Sequence, residues 1–241
     1  FLSDFYLGEL ALVLIYAIAG IGLMLLTGYT GLVSLGHAAF LGIGAYAHSY
    51  FLGLGVPFLL SLTISVLFSS LIGMFLAIPA LRVTGIYLAV ATLAFSIIVE
   101  QILSHWVSVT GGYRGMLVPD PNIGSLSLKS HTAFYFVCLT FFSSSVLIGL
   151  NILRSPVGRA MTAVRDSEIS AQSMGINLAK TKTIAFAISA GFTGLAGGLL
   201  AHKIGYLAPD SFNILISIQL LLMIVVGGLG SLHGAVYGAI F

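Results

Sequence analysis

Residues 10–27 read LALVLIYAIAGIGLMLLT, an apolar run without a single charged side chain. A bilayer core of about 30 Å is crossed by about 20 apolar residues in helical conformation, so this run predicts a membrane-spanning helix. The whole composition agrees with that prediction. Of the 241 residues, 59% are hydrophobic and only 7% are charged, whereas soluble domains carry roughly 25% charged residues. We therefore predict an integral membrane protein.

Further apolar runs of similar length follow along the chain. The alternation over about 10 residues that marks barrel strands is absent, and only helices or closed barrels satisfy the backbone inside lipid. The predicted fold class is all-α, a polytopic transmembrane helical bundle in a single domain, 1–241. The predicted spans, about eight in number, are 10–27, 35–53, 57–80, 85–104, 131–153, 183–202, 212–229 and a last one from 233.

Two long loops set the predicted orientation. The loop 154–182 holds Arg154, Arg159, Arg165, Lys180 and Lys182, five of the nine basic residues. Basic residues accumulate in cytoplasmic loops, so 154–182 is predicted to be cytoplasmic. Alternation then places 105–130, which holds His105, Arg114, Asp120 and Lys129, on the extracytoplasmic side. The same alternation puts Phe1 outside, from which we expect at least one earlier span in a longer protein.

The loop 154–182 is too polar to be explained by hydropathy alone. Ser155 followed by Pro156 is a favourable helix start, with serine at the N-cap and proline at the first helical position. A short helix is predicted to run from there to about Asp166. A second helix is predicted over 167–174 and to stop at Gly175, in the position after a helix that favours glycine.

Two interpretations of this helix pair remain open. It is either a solvated loop that fixes the topology, or a docking surface for a cytoplasmic partner. Arg165, Asp166 and Glu168 offer both signs of charge within four residues, which suits the steering of a partner. No phosphate-binding G-x-x-x-x-G-K-[ST] motif occurs in the chain. An ATPase that drives this protein would therefore be a separate polypeptide acting on 154–182.

Small residues recur at helical spacing inside the predicted spans. Transmembrane helices associate through such residues because they allow the backbones to approach closely. Ser34, Ala38 and Gly42 form one stripe, and Gly194 and Gly198 belong to another. These positions are predicted to pack helices against one another.

A glycine cluster separates the first two predicted spans, with Gly28, Gly31 and Gly36 in close succession. Transporter sites are often built from interrupted helices whose N-termini point at anionic groups such as a carboxylate. Ser34 and His37 lie one turn apart and could both face a passage. His37 has a second interpretation, as a hydrogen-bonded residue between helices.

Glu100 is the only acidic residue within a predicted span, and it is either an interfacial residue or part of a passage. The stretch GIYLAVATLAF, 85–95, supplies two further candidates. The complete set of predicted pathway residues is Ser34, Gly36, His37, Tyr87, Thr92 and Glu100.

The sequence gives little reason to expect a metal site, a catalytic site or a disulfide bond. No group of cysteine and histidine has zinc spacing, no nucleophile stands at a plausible spacing from a base and an orienting group, and Cys138 is a single cysteine in an apolar run. A formal charge of +2 gives no reason to expect a nucleic-acid partner. We expect neither a catalytic residue nor a metal or cofactor bound by this chain.

One short repetition links the two ends of the chain. Residues 228–233 read GLGSLH, and residues 31–37 read GLVSLGH. Each follows an apolar span predicted to run from outside to inside. A true repeat would relate two segments of the same orientation.

Six segments together resemble one family. They are GYTGLVSLGHAAFLGIGAY (28–46), GIYLAVATLAF (85–95), TGGYRG (110–115), SPVGRAMTAVRDSEISAQSMGIN (155–177), GFTGLAGGLLAHKIGYLAPDSFN (191–213) and GGLGSLHGAVYGA (227–239). In this order they resemble the LivM-type permease subunits of bacterial branched-chain amino-acid ABC importers, within the LivH/LivM permease family.

The resemblance implies a multi-pass protein of the bacterial cell (inner) membrane and a set of partners. These are a LivH-like second permease, two cytoplasmic ABC ATPases that bind ATP and magnesium, an extracytoplasmic substrate-binding protein, and an amino-acid substrate. Permeases of ABC importers often carry E-A-A-x-x-x-G in the coupling loop, and here Ile169, Ser170 and Ala171 occupy the first three positions. The implied coupling residues are Arg165, Asp166, Glu168, Ala171, Met174 and Gly175.

The sequence leads to one preferred function and leaves others open. The preferred function is a permease for branched-chain amino acids that works by alternating access and is driven by separate ATPases. Permeases for urea or short amides share much of the pattern. A self-contained channel or carrier for a small neutral solute and a non-transporting scaffold subunit are the remaining alternatives.

Overall fold

The computed structural model describes residues 4–123, 126–127 and 130–240. Its architecture is the predicted all-α bundle, which is confirmed. The helices are α1 (Asp4–Leu23), α2 (His37–Gly53), α3 (Phe58–Ala80), α4 (Ile86–His105), α5 (Val107–Thr110), α6 (His131–Arg154), α7 (Pro156–Asp166), α8 (Glu168–Ser173), α9 (Leu178–Ile204), α10 (Ile214–Gly227) and α11 (Leu232–Ile240). A π-helical turn, Met24–Gly28, extends α1, and 3₁₀ turns cover Gly112–Arg114 and Pro209–Phe212.

Within the described residues, six helices are long and apolar enough to cross a membrane, and the predicted number of eight is wrong by that measure. They are α1 with its π-helical turn, α3, α4, α6, α9, and α10 with the 3₁₀ turn before it. The second predicted span, 35–53, corresponds to α2, which has only 17 residues. It is short because the chain stays non-helical from residue 31 to residue 36, after Gly31 adopts a φ of +73° that ends the first helix.

The eighth predicted span corresponds to α11, which has nine residues among those described. The chain turns between α10 and α11 through Gly228 and Gly230, both with positive φ. Gly234 and Gly238 of α11 then lie directly against the α10 backbone, where a β-carbon would collide with the carbonyl oxygens of Gly228 and Met223. The two helices therefore form a tight hairpin held by glycine contacts.

The centre of the bundle is α9, which packs against α1, α2 and α3. Its closest approach is to α2, where a β-carbon on Gly44 would collide with the carbonyl of Gly194 and one on Gly197 would collide with the carbonyl of Leu41. On the α3 side, a β-carbon on Gly73 would lie 2.6 Å from that of Ala190. In lipid such close backbone contact replaces the hydrophobic drive for association.

Two other predicted packing residues, Gly42 and Gly198, also contact neighbouring helices. A β-carbon on Gly42 would lie 3.1 Å from the ring of Phe212, and one on Gly198 would lie 2.6 Å from Leu62. Ser34 and Ala38 are buried. The outer helices α3, α4, α6 and α10 present large apolar side chains on their free faces, as expected of surfaces in contact with lipid or other membrane proteins.

Short strands cap one end of the bundle. β1 (Met116–Leu117) pairs antiparallel with β4 (Tyr206–Leu207), and β2 (Asn122–Ile123) pairs antiparallel with β3 (Leu126–Ser127). Helices α7 and α8 lie at the other end, which we call the basic end. Lys129, predicted in the outer loop, lies outside the described residues.

Candidate functional site

The helix pair α7–α8 forms as its sequence predicts. The Ser155 hydroxyl accepts hydrogen bonds from the backbone N–H groups of Val157 (3.2 Å) and Gly158 (3.4 Å), so it caps the start of α7. Ser167 caps α8 in the same way, accepting from Ser170 N–H at 3.2 Å. Gly175 follows α8 with a φ of +84°. The predicted limits of both helices are confirmed to within one residue.

Arg165, at the end of α7, points toward the membrane helices. Its guanidinium Nη1 donates to the carbonyl of Gly28, at the end of the π-helical turn, at 3.0 Å. Its Nη2 lies 3.1 Å from Asp166 Oδ1, and a β-carbon on Gly31 would lie 3.1 Å from its Cγ. Arg165 therefore connects α7 to the point where the first membrane helix is interrupted.

Glu168, the first residue of α8, forms the second connection. Its Oε1 lies 2.8 Å, and its Oε2 2.9 Å, from the Lys182 ammonium in the second turn of α9. The Lys182 side chain is only 3% exposed. A buried ammonium is unfavourable without such a partner, so this ion pair fixes α8 to the central helix. The α9 helix begins at Leu178 rather than at the predicted residue 183 because Asn177 caps it, its Oδ1 accepting from the Lys180 N–H at 2.9 Å. Hydropathy alone excluded Lys180 and Lys182 from the predicted span.

The free face of α8 carries two large apolar side chains. Ile169 is 84% exposed and Met174 is 85% exposed, although both lie on a polar helix pair. Ala171, on the opposite face, is buried. Exposed apolar residues that are surrounded by polar ones are typical of protein interfaces. We call these two exposed apolar residues, Ile169 and Met174, the α8 patch.

The predicted coupling residues thus divide between two faces. Glu168 and Ala171 face inward, whereas Asp166, Met174 and Gly175 are exposed. Arg165 is also exposed, although its guanidinium reaches the Gly28 carbonyl. Ile169 was missing from the sequence-based set. The signal that could have identified it is a large apolar residue on an otherwise polar helix, beside a capping serine.

The interrupted segment 31–36 leads into an unusual start of α2. The Leu35 N–H donates to Thr92 Oγ1 of α4 at 2.9 Å, and the Ala38 N–H donates to Ser217 Oγ of α10 at 2.9 Å. The Gly36 N–H donates to Ser34 Oγ at 3.3 Å. Hydroxyl groups from two other helices therefore satisfy N–H groups that a helix start leaves free.

His37, the first residue of α2, is also held by a distant helix. Its Nε2 lies 2.7 Å from Ser189 Oγ of α9. Its Nδ1 is buried and has no partner among the described residues. His37 therefore joins α2 to α9 in this conformation, with one ring nitrogen left free.

The structure brings together four of the six predicted pathway residues and separates two. Ser34, Gly36, His37 and Thr92 lie around the start of α2, where a β-carbon on Gly36 would be 3.0 Å from the Thr92 carbonyl. Tyr87 is 77% exposed at the basic end of α4. Glu100 is eight residues beyond Thr92 on the same helix, about 12 Å away at 1.5 Å per residue.

The second GL-x-SL segment contacts the end of the first membrane helix at the basic end. The Gly230 N–H lies 3.3 Å from Met24 Sδ, and a β-carbon on Gly28 would lie 3.0 Å from Gly230 N. The Arg165 Nη1 is 3.8 Å from where a β-carbon on Gly230 would be. Both helix breaks therefore surround one arginine, an arrangement that the sequence did not predict.

The described residues contain no group of three or more histidine, cysteine or carboxylate side chains that could hold a metal ion. The polar chemistry of the site consists of hydroxyl groups, backbone N–H groups, the His37 imidazole and three charged residues that join helices, Arg165, Glu168 and Lys182. Such an arrangement can transmit movement and contact a small solute, and it offers no activated nucleophile.

Comparisons with known proteins place this geometry in context. The family model described as "Branched-chain amino acid transport system / permease component" matches residues 5–241. The chain is 35% identical to the high-affinity branched-chain amino acid transport system permease protein LivM of Escherichia coli K12, over 95% of this chain and 60% of that protein. The corresponding LivM of Salmonella typhimurium is 34% identical, over 94% and 59%.

A more distant similarity extends to the second permease type. The LivH protein of E. coli K12 is 26% identical over 57% of this chain and 47% of its own length. The chain spans about 60% of the length of the LivM relatives that it matches. No solved structure gave a significant match.

Proposed function

The chain belongs to the family of permease components of branched-chain amino acid transport systems, and on that premise we propose that it is the membrane subunit of an ATP-driven importer for branched-chain amino acids. In this proposal the permease itself is not an enzyme. ATP and magnesium are bound by two cytoplasmic ATPase subunits, a LivH-like permease completes the membrane part, and an extracytoplasmic binding protein delivers the substrate.

The orientation in the bacterial cell (inner) membrane follows from the charges. Loop 154–182 carries most of the basic residues, which supports a cytoplasmic position for it in this proposal. The α8 patch then faces the cytoplasm, where an ATPase subunit can reach it. The loop 105–130 and its strands face the delivery protein.

The observation that carries the proposal is the pair of inward connections from the exposed helices. Glu168 joins α8 to α9 through Lys182, and Arg165 joins α7 to the break after α1 through the Gly28 carbonyl. A force applied to the α8 patch would therefore reach both the central helix and the interrupted helix. A loop that only fixes topology has no need for a buried ion pair to the central helix.

The proposed mechanism is alternating access. Closure of the ATPase dimer displaces α7 and α8, which moves α9 and the segment 31–36 with them. In the present conformation Ser34 and His37 have no exposed surface, so the passage beside the start of α2 is closed here. Movement of α9 would separate His37 from Ser189 and expose these polar groups to a passing amino acid.

Substitution in the α8 patch tests the proposal. We expect Ile169→Ser combined with Met174→Ser to abolish stable association with the ATPase subunits and to abolish uptake, while the thermal stability of the permease stays unchanged. Gln172→Ala, at an exposed neighbour on the same helix, is the matched control. Normal ATPase binding by the double variant would contradict the proposed docking role.

A substrate panel addresses the alternative functions. Leucine, valine, urea and a basic amino acid are compared as stimulators of ATP hydrolysis in the assembled transporter. We expect stimulation by leucine and valine in the presence of the binding protein. Stimulation by urea alone would instead assign the chain to the permeases for urea or short amides.

A further inference from the structure

The membrane-level surface of the bundle carries a side-chain amide that does not suit lipid. Gln219 is exposed on α10. It is the eleventh residue of the nineteen-residue span Pro209–Gly227, so it lies near the middle of the membrane. Its side-chain amide makes no hydrogen bond with the described residues. Leaving an amide unpaired in an apolar medium costs on the order of 4 kcal/mol.

Two polar residues on the outer surface, Thr63 and Ser144, avoid this cost within their own helices. The Thr63 hydroxyl donates to the Leu59 carbonyl at 2.8 Å, and the Ser144 hydroxyl donates to the Thr140 carbonyl at 2.8 Å. These side chains can therefore face lipid. Gln219 has no such bond, so its surroundings in the working protein must supply a hydrogen-bonding partner.

Gln219 lies in a groove of about 480 Å³ between α1, α10 and α11. Tyr16, at the middle of the first span, contributes its side chain to the same groove, and its hydroxyl also makes no hydrogen bond with the described residues. Leu222, Met223 and Val226 form apolar walls. By contrast, a groove of about 540 Å³ between α2, α3 and α4 presents only apolar surface, as expected of a lipid contact.

The floor of the Gln219 groove is formed by small residues. Gly238 and Ala239 of α11 line it, and Gly238 sits against the backbone carbonyl of Met223. The volume lies within the roughly 300–1,000 Å³ that is typical of small-molecule sites, which are mostly apolar with a few polar groups. An aliphatic amino acid matches this composition, because its side chain suits the apolar walls and its charged groups suit the amide and the hydroxyl.

We propose that the groove between α1, α10 and α11 is a binding site on the translocation path, in which the Gln219 amide and the Tyr16 hydroxyl contact the charged groups of a branched-chain amino acid. This proposal rests on the proposed function and adds a site to it. We expect this site to bind the amino acid weakly, because it offers two neutral polar groups and no counter-charge. Weak binding allows the substrate to be released. Its open side would be closed by the second permease.

The test is accessibility of a cysteine at position 219 in the assembled transporter. Cys138 is buried and is the only cysteine of the chain, so Cys138→Ala provides the parent. Gln219→Cys is exposed to a charged, water-soluble methanethiosulfonate reagent with and without saturating leucine. Ile148→Cys, at an exposed position on the outer face of α6, is the matched control for a lipid-facing site.

We expect position 219 to react, leucine to slow the reaction at least threefold, and position 148 not to react. Absence of reaction at 219, or reaction at 219 that leucine does not change, overturns the proposal. Cross-linking of 219 to the second permease without protection by leucine also overturns it and assigns the groove to a helix contact. Leucine uptake by the Cys138→Ala parent tests the proposed function separately.

A kinetic measurement supports the proposal without cysteine chemistry. Gln219→Leu removes the amide but keeps a side chain that suits the membrane. We expect the KM for leucine uptake to rise about tenfold, the loss equivalent to one hydrogen bond to a charged group. An unchanged KM would overturn the proposal even if the cysteine variant failed to fold.

Discussion

Lys182 Nζ lies 2.8 Å from Glu168 Oε1, with the lysine side chain almost completely buried. This contact joins the short polar helix α8 to α9, the helix around which the bundle is built. The carboxylate is partly exposed, so the pair lies at the boundary between the membrane helices and the aqueous side. It is the place where a movement outside the membrane would enter the bundle.

Removing the charge of Glu168 is expected to destabilise the bundle and to uncouple it. Glu168→Gln leaves the buried Lys182 ammonium without its counter-charge, at a cost of about 2 kcal/mol after allowance for the exposed carboxylate. Thermal unfolding in detergent measures this loss. The double variant Glu168→Leu with Lys182→Met is expected to regain most of the stability while uptake stays impaired. Equal melting temperatures of the single variant and the wild type would contradict the assignment.

Arg165 is expected to matter for coupling much more than its charge alone would suggest. Arg165→Ala removes the hydrogen bond to the Gly28 carbonyl, and we expect leucine uptake per ATP hydrolysed to fall about tenfold, in line with a charge-assisted hydrogen bond. Arg159→Ala is the matched control, because Arg159 lies on the same helix, is exposed and bonds only to the Arg154 carbonyl. Similar losses in both variants would show that only the net charge of the loop counts.

The crossing of α2 and α9 is expected to tolerate no side chain at Gly44. Gly44→Val would drive its side chain into the Gly194 backbone, and such overpacking costs typically about 1–3 kcal/mol. The yield of monodisperse protein and its melting temperature report this cost. Gly53→Ala, on the same helix, meets only Pro119 at 3.9 Å, and we expect it to be neutral or slightly stabilising. A stable Gly44→Val variant would contradict the packing described here.

The start of α2 is expected to depend on the Thr92 hydroxyl. Thr92→Val keeps the shape of the side chain but leaves the Leu35 N–H without its acceptor, at a cost of about 1–3 kcal/mol. Thr92→Ser keeps the hydroxyl and is expected to be close to wild type. Thermal unfolding of the two variants, compared with leucine uptake, separates a role in stability from a role in the passage. Equal stability of the valine and serine variants would show that this hydrogen bond is dispensable.

Local features could be predicted from the sequence because they depend on residues that are close together in the chain. The membrane class follows from the apolar runs, and the start of α7 follows from Ser155 and Pro156, whose capping pattern needs only three residues. The interruption before α2 was signalled by Gly31, which adopts a positive φ. In each case the deciding interactions lie within one or two helical turns.

Features that depend on pairs of residues far apart in the chain could not be predicted from the sequence. Thr92 and Leu35 are 57 positions apart, and Ser217 and Ala38 are 179 apart, so one sequence gives no sign that they meet. Lys182 counted as a loop residue because hydropathy registers its charge and not its pairing with Glu168. The inward direction of Arg165 depends on the position of the break after α1, which is itself a consequence of packing.

The central claim is that this permease moves branched-chain amino acids only when separate ATPase subunits act on α7 and α8. The most direct measurement is uptake of radiolabelled leucine into liposomes that contain the permease with its second permease, with and without ATPase subunits, ATP inside and the binding protein outside. We expect uptake only when all components and ATP are present. ATP-independent leucine uptake by the permease alone, at a comparable rate, would contradict it.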